Sequence, residues 1–376
     1  MKVLQVGKYY PPHRGGMETH LADLCNQLKS RVELEVLVAQ TGGKTFTETV
    51  DGVEVTRLGT PLNIMANPVN PELISRLRRS DADIVHLHWP NPLALLAYFA
   101  SGNRAPLVIT YHSDIVRQKL TGALFQPFLD KALRRATILA TSPNYVESSP
   151  VLRRFRKNCR VVPLGIDLEK MRAADPEKVK EFRKKYGYNM VLATGRHIYY
   201  KGFQHLLEAM KTVDGHLVLT GSGPLTDEFA AKIERDGLQG KVTLAGQVSD
   251  ADLRALYEAA SVFAFPSVAR SEAFGLVQLE AMAAAKPVVN TNIDSGVPFV
   301  SPHGKTGLTV EIGNVDQLAH ALNQLLGDSA LRTRLGQAGR ERVREMFTVE
   351  TMAEATFAAY EETLGIEKRV ATTVGA

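Results

Sequence analysis

The sequence predicts an α/β fold: two doubly wound, Rossmann-like parallel-sheet domains in series, facing a cleft. Three observations predict it. Short apolar runs of about five residues alternate with longer amphipathic stretches, the signature of a parallel sheet covered on both faces. The alternation stops and restarts near residues 165–188. Clusters of Gly, Lys, Arg, His and Glu fall directly after apolar runs, where open parallel sheets bind their ligands.

In the first half the apolar runs are residues 3–6, 34–38, 53–57, 84–88, 107–111, 138–140 and 160–162, with helical spacing over 19–28 and 71–79. Gly165-Ile166-Asp167 then opens a charged stretch, 175–186, that reads as a surface helix. The second set of runs is 190–194, 216–220, 241–245, 262–265, 287–290 and 307–310. The expected division is an N-terminal domain over 1–165, a linker over 166–188 and a C-terminal domain over 189–345. At about 100–200 residues per domain, 376 residues agree with two. The polar tail after Gly365 is expected to fray.

Composition excludes several classes. Apolar residues at 44% and charged residues at 23% are ordinary for a soluble globular chain. No apolar run reaches the roughly 18 residues of a membrane-spanning helix. The opening Met1-Lys2-Val3-Leu4-Gln5-Val6 is too quickly interrupted to be a signal peptide and reads as the first strand. Cys25 and Cys159 fit neither a metal-ligand spacing nor a disulfide framework, so a reducing, cytoplasmic setting is expected.

The sharpest motif follows the run 262–265: Ser271-Glu272-Ala273-Phe274-Gly275-Leu276-Val277-Gln278-Leu279-Glu280. From Gly275 onward the composition is helical, so a helix N-terminus with free N–H groups and a positive dipole end points at the cleft. Glu272 and Glu280 are placed to grip different parts of one polyhydroxylated ligand; capping by Glu272 and solvation of Glu280 is the competing account. The second motif, Thr194-Gly195-Arg196-His197-Ile198-Tyr199-Tyr200-Lys201-Gly202, follows 190–194 and offers a planar guanidinium and a mobile ammonium to phosphate oxygens. Gly15-Gly16 opens the first helix after the first strand, and His112 ends the run 107–111. His86 and His88 lie on one strand face, a pair for which the sequence predicts no third metal ligand. Gly221-Ser222-Gly223 lacks the third glycine of the dinucleotide fingerprint and reads as a tight turn near a nucleotide. Asp81-Ala82-Asp83 precedes a strand, on the wrong edge for a metal–diphosphate clamp, and Asp250-Ala251-Asp252 reads as a helix start capped by Ser249.

Taken in order, these segments resemble glycosyltransferase family 4 on the GT-B fold, over about residues 1 to 360. Glu272 and Glu280, Phe274-Gly275, Gly195-Arg196, Lys201-Gly202, Val162-Pro163-Leu164-Gly165-Ile166-Asp167, Gly221-Ser222-Gly223-Pro224, Ala245-Gly246-Gln247-Val248 and Lys305-Thr306-Gly307-Leu308 carry the resemblance. It implies a metal-independent retaining hexosyltransferase with no cofactor beyond its nucleotide-sugar donor. In that pattern Arg196 and Lys201 hold the donor diphosphate and stabilise the leaving group, and Glu280 holds the ribose. Glu272 and the backbone of Phe274, Gly275 and Leu276 hold the sugar. Gly16 lies against the phosphates, Gly195 belongs to the donor-binding set, His112 touches the sugar, and backbone near Gln247 and Val248 meets the base. The first domain binds the acceptor, and a final helix, 346–365, crosses back to it. The segment Asn292-Ile293-Asp294-Ser295-Gly296-Val297-Pro298 departs from the family's usual short Gly-rich loop and resembles a variant of surface-polysaccharide transferases, mannosyltransferases among them.

From Arg117 to Arg135 the cations Arg117, Lys119, Lys131, Arg134 and Arg135 stand beside Leu120, Leu124, Phe125, Phe128 and Leu129, and Arg153, Arg154, Arg156 and Lys157 form a second basic cluster. Docking to an anionic inner-membrane face, where a lipid-linked acceptor would be met, is the functional expectation; a half-buried helix with a solvated basic side is the plain one. Two other functions compete: a sugar synthase acting on a small soluble acceptor, and a non-catalytic nucleotide- or nucleic-acid-binding protein. The latter has no use for the paired Glu272 and Glu280, and no nucleic-acid partner is expected.

Overall fold

The computed structural model describes the chain apart from residues 14, 41, 65–66, 116–118, 172–173 and 367–376, and apart from the side chains of 64 and 119–124. The polar tail therefore falls mostly outside the described residues. The chain divides into two compact units. The first comprises Met1–Thr141, Pro150–Pro163 and the chain from Val349 on; the second comprises Ser142–Ser149 and Leu164–Thr348.

The first unit is built on β1 (Lys2–Val6), β2 (Glu33–Ala39), β3 (Phe46–Val50), β4 (Val53–Leu58), the short pair β5 (Leu62–Ile64) and β6 (Asn67–Val69), then β7 (Ile84–Trp89), β8 (Leu107–Tyr111), β9 (Thr137–Ala140) and β10 (Cys159–Val161). Eight of them form one sheet in the order β10-β9-β8-β7-β1-β2-β4-β3. Only β3 runs antiparallel, against β4. The fully buried β7 and β8 are the near-continuous apolar runs expected of a parallel sheet. The helix Val349–Thr363 belongs to this unit: Met352, Ala353 and Tyr360 pack with Val3, Ile84, Val108 and Leu139.

The second unit holds β11 (Met190–Thr194), β12 (His216–Thr220), β13 (Val242–Gly246), β14 (Val262–Phe265), β15 (Val288–Thr291) and β16 (Gly307–Val310), all parallel, in the order β13-β12-β11-β14-β15-β16. Strand order reverses between β11 and β14, so the crevice at their carboxyl ends is the natural ligand site. Along β11, Val191 and Ala193 enter one core while Met190 and Leu192 enter the other, so both faces are covered. Residues 166–188, expected as a linker, carry the helices Leu168–Met171 and Pro176–Tyr186. Val179 and Tyr186 are buried in the same core as Met190 and Ala255, because the apolar stripe of this charged segment needs a partner face.

The minor motifs fall where the sequence puts them. Ser249 caps the helix Asp250–Ala259 by accepting the Asp252 amide. At the amino end of β1, Asp83 accepts the Lys2 amide at 2.8 Å and Asp81 pairs with the Lys2 ammonium at 2.5 Å.

Candidate functional site

At the reversal point of the second unit, β11 runs into the Gly195–Gly202 segment and β14 into the segment that ends at Gly275. The two loops are clipped together, the Val268 amide donating to the Tyr200 carbonyl at 2.8 Å. Gly202 has φ +69°, and a Cβ there would lie 1.9 Å from the Pro266 carbonyl oxygen, so only glycine fits. Gly275, at φ +82°, starts the helix Leu276–Ala283; a Cβ on it would meet the Phe265 ring at 2.6 Å.

These turns bring Lys201 and Glu272 together, Nζ to Oε2 at 2.5 Å, with side chains only 12% and 11% exposed. Ser267 Oγ donates to the same carboxylate oxygen at 3.4 Å. The Lys201 ammonium also sits 5.1 Å from the Phe265 ring centroid. Arg196 is exposed, with no ion pair among the described residues. Burial pushes the Tyr200 hydroxyl up to about 12; Glu272 adds to this, and the Arg196 charge opposes it. The four side chains therefore share one electrostatic environment.

Glu280 lies just over one turn into the helix Leu276–Ala283. Tyr257 donates its hydroxyl to Glu280 Oε2 at 2.6 Å. Burial raises the Glu280 carboxyl above the usual range, the Tyr257 hydrogen bond pulls it back, and Asp250 adds to the rise. The Phe274 side chain is buried against Phe347, ring centroids 5.9 Å apart, which leaves its backbone as the group available to a ligand. Gln247 is exposed and donates from Nε2 to Ser222 Oγ at 3.1 Å, while Val248 is half-buried against the core. The Gly221 amide donates to Gly246 at 2.7 Å, joining the turns after β12 and β13. Gly296 donates its amide to the Ala273 carbonyl at 2.8 Å, so the unusual 292–300 segment braces the Glu272 motif from behind.

In the first unit Gly16 opens the helix Gly16–Leu28 and is exposed. His112 follows β8 and is 8% exposed. Its Nε2 lies 3.3 Å from His88 Nδ1, and the His20 ring stands edge-on to it at 4.9 Å. The sequence sets aside the strand pair His86 and His88 for want of a third ligand; in the structure His88, without His86, joins a different histidine cluster. His20, from the first helix, and His112, from the next strand end, both flank His88. One ligand atom from each of His20, His88 and His112 lies within 4.8 Å of the others, a spacing that could hold a metal ion. Sequence separation hid this cluster. Burial pushes His20 down to about 4 and His86 down to about 3; it also holds His88 and His112 well below the ordinary imidazole value, with neighbouring imidazoles adding to the effect.

The basic segment is only partly visible. Arg117 and the side chains of Lys119, Leu120 and Leu124 lie outside the described residues. Of the rest, Leu129 is buried, Phe128 is 44% exposed, Lys131 stands 5.1 Å over the Phe99 ring and Arg154 pairs with Asp130. Among the described residues no helix is long and apolar enough to cross a membrane. Tyr257 and Ser267 were not singled out by sequence reasoning: the first sits in an apolar helical stripe and the second in a turn, and neither setting signals a ligand.

Comparison with known proteins adds a family. The model for Glycosyltransferase Family 4 matches residues 14–170, and that for Glycosyl transferases group 1 matches residues 174–342. The chain is 32% identical to the D-rhamnosyltransferase WbpZ of Pseudomonas aeruginosa, over 93% of this chain and 92% of that one. It is 31% identical to the O-antigen chain mannosyltransferase C of Escherichia coli, over 94% and 96%. A GDP-mannose-dependent alpha-(1-6)-phosphatidylinositol monomannoside mannosyltransferase of Mycobacterium tuberculosis is 30% identical, over 94% and 96%. Among solved structures, HepE of Anabaena in complex with UDP and glucose superposes with a TM-score of 0.78 at 20% identity, covering 96% of this chain and all of that one. Sucrose-phosphate synthase of Thermosynechococcus elongatus gives 0.79 at 22%, covering 97% and 100%.

Proposed function

This chain belongs to the family 4 glycosyltransferases of the GT-B fold, and from that premise we propose its reaction: it moves a hexose from a nucleotide-sugar to a lipid-linked or polysaccharide acceptor of the cell envelope, retaining the anomeric configuration and using no metal ion. The observation that carries the reading is the Lys201–Glu272 pair at the reversal point of the second sheet, beside the exposed Arg196 and the Gly275 helix start. Arg196 and Lys201 take the diphosphate, so two fixed cations stand where negative charge develops as the nucleoside diphosphate leaves. That is the service a metal ion performs elsewhere. Glu272 and the Phe274, Gly275 and Leu276 backbone hold the hexose, and Glu280 holds the ribose hydroxyls. Gly195 and Gly16 leave room for phosphates, backbone at Gln247 and Val248 meets the base, and His112 meets the sugar. No side chain is assigned as nucleophile or base.

GDP-mannose is the favoured donor, because two relatives spanning nearly the whole chain are named mannosyltransferases; UDP-hexoses are the alternative, on the likeness to HepE, which was solved with UDP-glucose. The reaction takes place in the cytoplasm, at the inner face of the membrane if the 117–135 segment docks there. A panel of GDP-mannose and UDP-hexoses, followed for slow donor hydrolysis with and without EDTA, tests the reading. The expected result is turnover of one donor, unaffected by EDTA and reduced at least ~10²-fold in both Glu272→Ala and Lys201→Ala. A wild-type protein that binds no donor by calorimetry would overturn it.

A further inference from the structure

Beneath His112 the first unit buries a file of polar groups that the transfer reaction does not explain. His88 sits with Nδ1 3.3 Å from His112 Nε2 and Nε2 3.0 Å from Gln5 Oε1. Gln5 donates from Nε2 to the Tyr360 hydroxyl at 2.8 Å. That hydroxyl lies 2.6 Å from His86 Nδ1, and His86 Nε2 lies 2.7 Å from Thr110 Oγ1. Gln5, His86, His88 and Tyr360 are at most 1% exposed.

A neutral imidazole donates through one nitrogen and accepts through the other, so a file of them carries hydrogen bonds in one direction only. The Gln5 carboxamide sets that direction. Its oxygen can only accept, so His88 carries its proton on Nε2 and its Nδ1 accepts. The neighbour of that nitrogen, His112 Nε2, is then the donor. On the other side Tyr360 accepts from Gln5 and passes its own hydroxyl proton to His86 Nδ1, and His86 donates from Nε2 to Thr110. Each contact in the file then pairs one donor with one acceptor, and the His112 nitrogen outside these contacts, Nδ1, bears an unshared pair. Burial keeps all these imidazoles uncharged near neutral pH. His20 stands edge-on beside His88 and His112 without a hydrogen-bond partner on either nitrogen, so it does not compete for the file.

We propose that Gln5 and Tyr360 are positioning residues for His112, their hydrogen bonds fixing it as the Nε2–H tautomer so that Nδ1 accepts a hydroxyl proton of the transferred hexose. The last helix thereby supplies more than packing: a hydroxyl 355 residues from Gln5 sets the proton position at a strand end. The inference rests on the reading that His112 meets the sugar.

Long-range proton–nitrogen NMR of the full chain labelled with nitrogen-15 histidine reads the tautomers directly, with His112 assigned through His112→Asn. The wild type should show His86, His88 and His112 each as a single Nε2–H form. In Tyr360→Phe, Gln5 is free to turn, so His88 and His112 should become mixtures, and kcat for donor hydrolysis should fall about 10-fold. Gln5→Met breaks the file at a second point and should act alike, should the first variant fold poorly. Thr363→Val removes a hydrogen bond of the same helix to Thr137 outside the file; it should lower the melting temperature and change neither tautomer nor kcat. A wild-type His112 protonated on Nδ1, or tautomers and kcat untouched in both file variants, would overturn the proposal. Tautomers as expected in a wild type that turns over no donor would instead sink the transfer reading, and the positioning role with it, leaving the wiring as a structural fact.

Discussion

Glu280 shows how one hydrogen bond can tune a ligand-binding carboxylate. Burial pushes its proton affinity up, and the Tyr257 hydroxyl, donating at 2.6 Å, holds it down. A carboxylate must be ionised to accept from two ribose hydroxyls, so nucleotide binding should weaken as pH falls through the Glu280 pKa. Tyr257→Phe removes the group that lowers that pKa and nothing else of similar size. The pKa should rise further, and the loss of binding should begin at higher pH than in the wild type. Calorimetric Kd for the nucleoside diphosphate, measured between about pH 5 and 8, follows the shift. Identical profiles for the two proteins would show that Glu280 does not meet the nucleotide as an anion.

The element that makes the site is the pair of loops after β11 and β14, and Gly202 is where they touch. Gly202 and Gly304 share a positive φ, +69° and +70°, but a Cβ at Gly304 meets nothing within 4 Å. Gly304→Ala should therefore cost only the strain of a left-handed residue, about 1 kcal/mol. Gly202→Ala adds a clash with the Pro266 carbonyl, which cannot yield without parting the loops, and should cost about 3 kcal/mol or more in urea unfolding. Equal costs would mean that the loops part freely. Elements of this kind also mark how far the sequence could be read. The strands of both sheets were legible because a strand covered on both faces is buried throughout and mostly apolar, as β8 and β11 are and as β7 is apart from His86 and His88. β3 was not, because its Phe-Thr-Glu-Thr-Val run is exposed on nearly every residue and is held by its backbone pairing to β4, the Thr47–Thr56 hydroxyl contact and the Glu48–Arg57 pair. The 166–188 stretch looked like a linker because its charged residues outnumber its apolar ones. In the candidate site, Lys201 and Glu272 were legible as motif residues at strand ends; their direct pairing depends on how two loops fold against each other, which no local pattern encodes. The histidine file was invisible for the same reason, since Gln5 hides in an apolar strand and Tyr360 in a helix 274 residues from its partner His86.

At the scale of the molecule, the buried imidazoles give folding a pH dependence of definite sign. In the unfolded chain each titrates near 6.5. In the folded first unit burial holds His20 down to about 4 and His86 down to about 3, with His88 and His112 well below their ordinary value too. Below about pH 6.5 the unfolded chain binds protons that the folded chain refuses. The stability associated with these groups is therefore complete above that pH and is lost as pH falls toward the folded values, by up to about 1.4 kcal/mol per pH unit for each histidine. His20 allows a clean test, because neither of its ring nitrogens has a hydrogen-bond partner. His20→Phe keeps a planar ring in the same space and removes one titrating group without breaking a hydrogen bond. Urea unfolding at intervals between about pH 7 and 5 should give a variant whose stability falls less steeply than the wild type's, by about one proton's worth of slope. An unchanged slope would mean that His20 takes up its proton in the folded protein as readily as in the unfolded one, and that its burial does not keep it neutral.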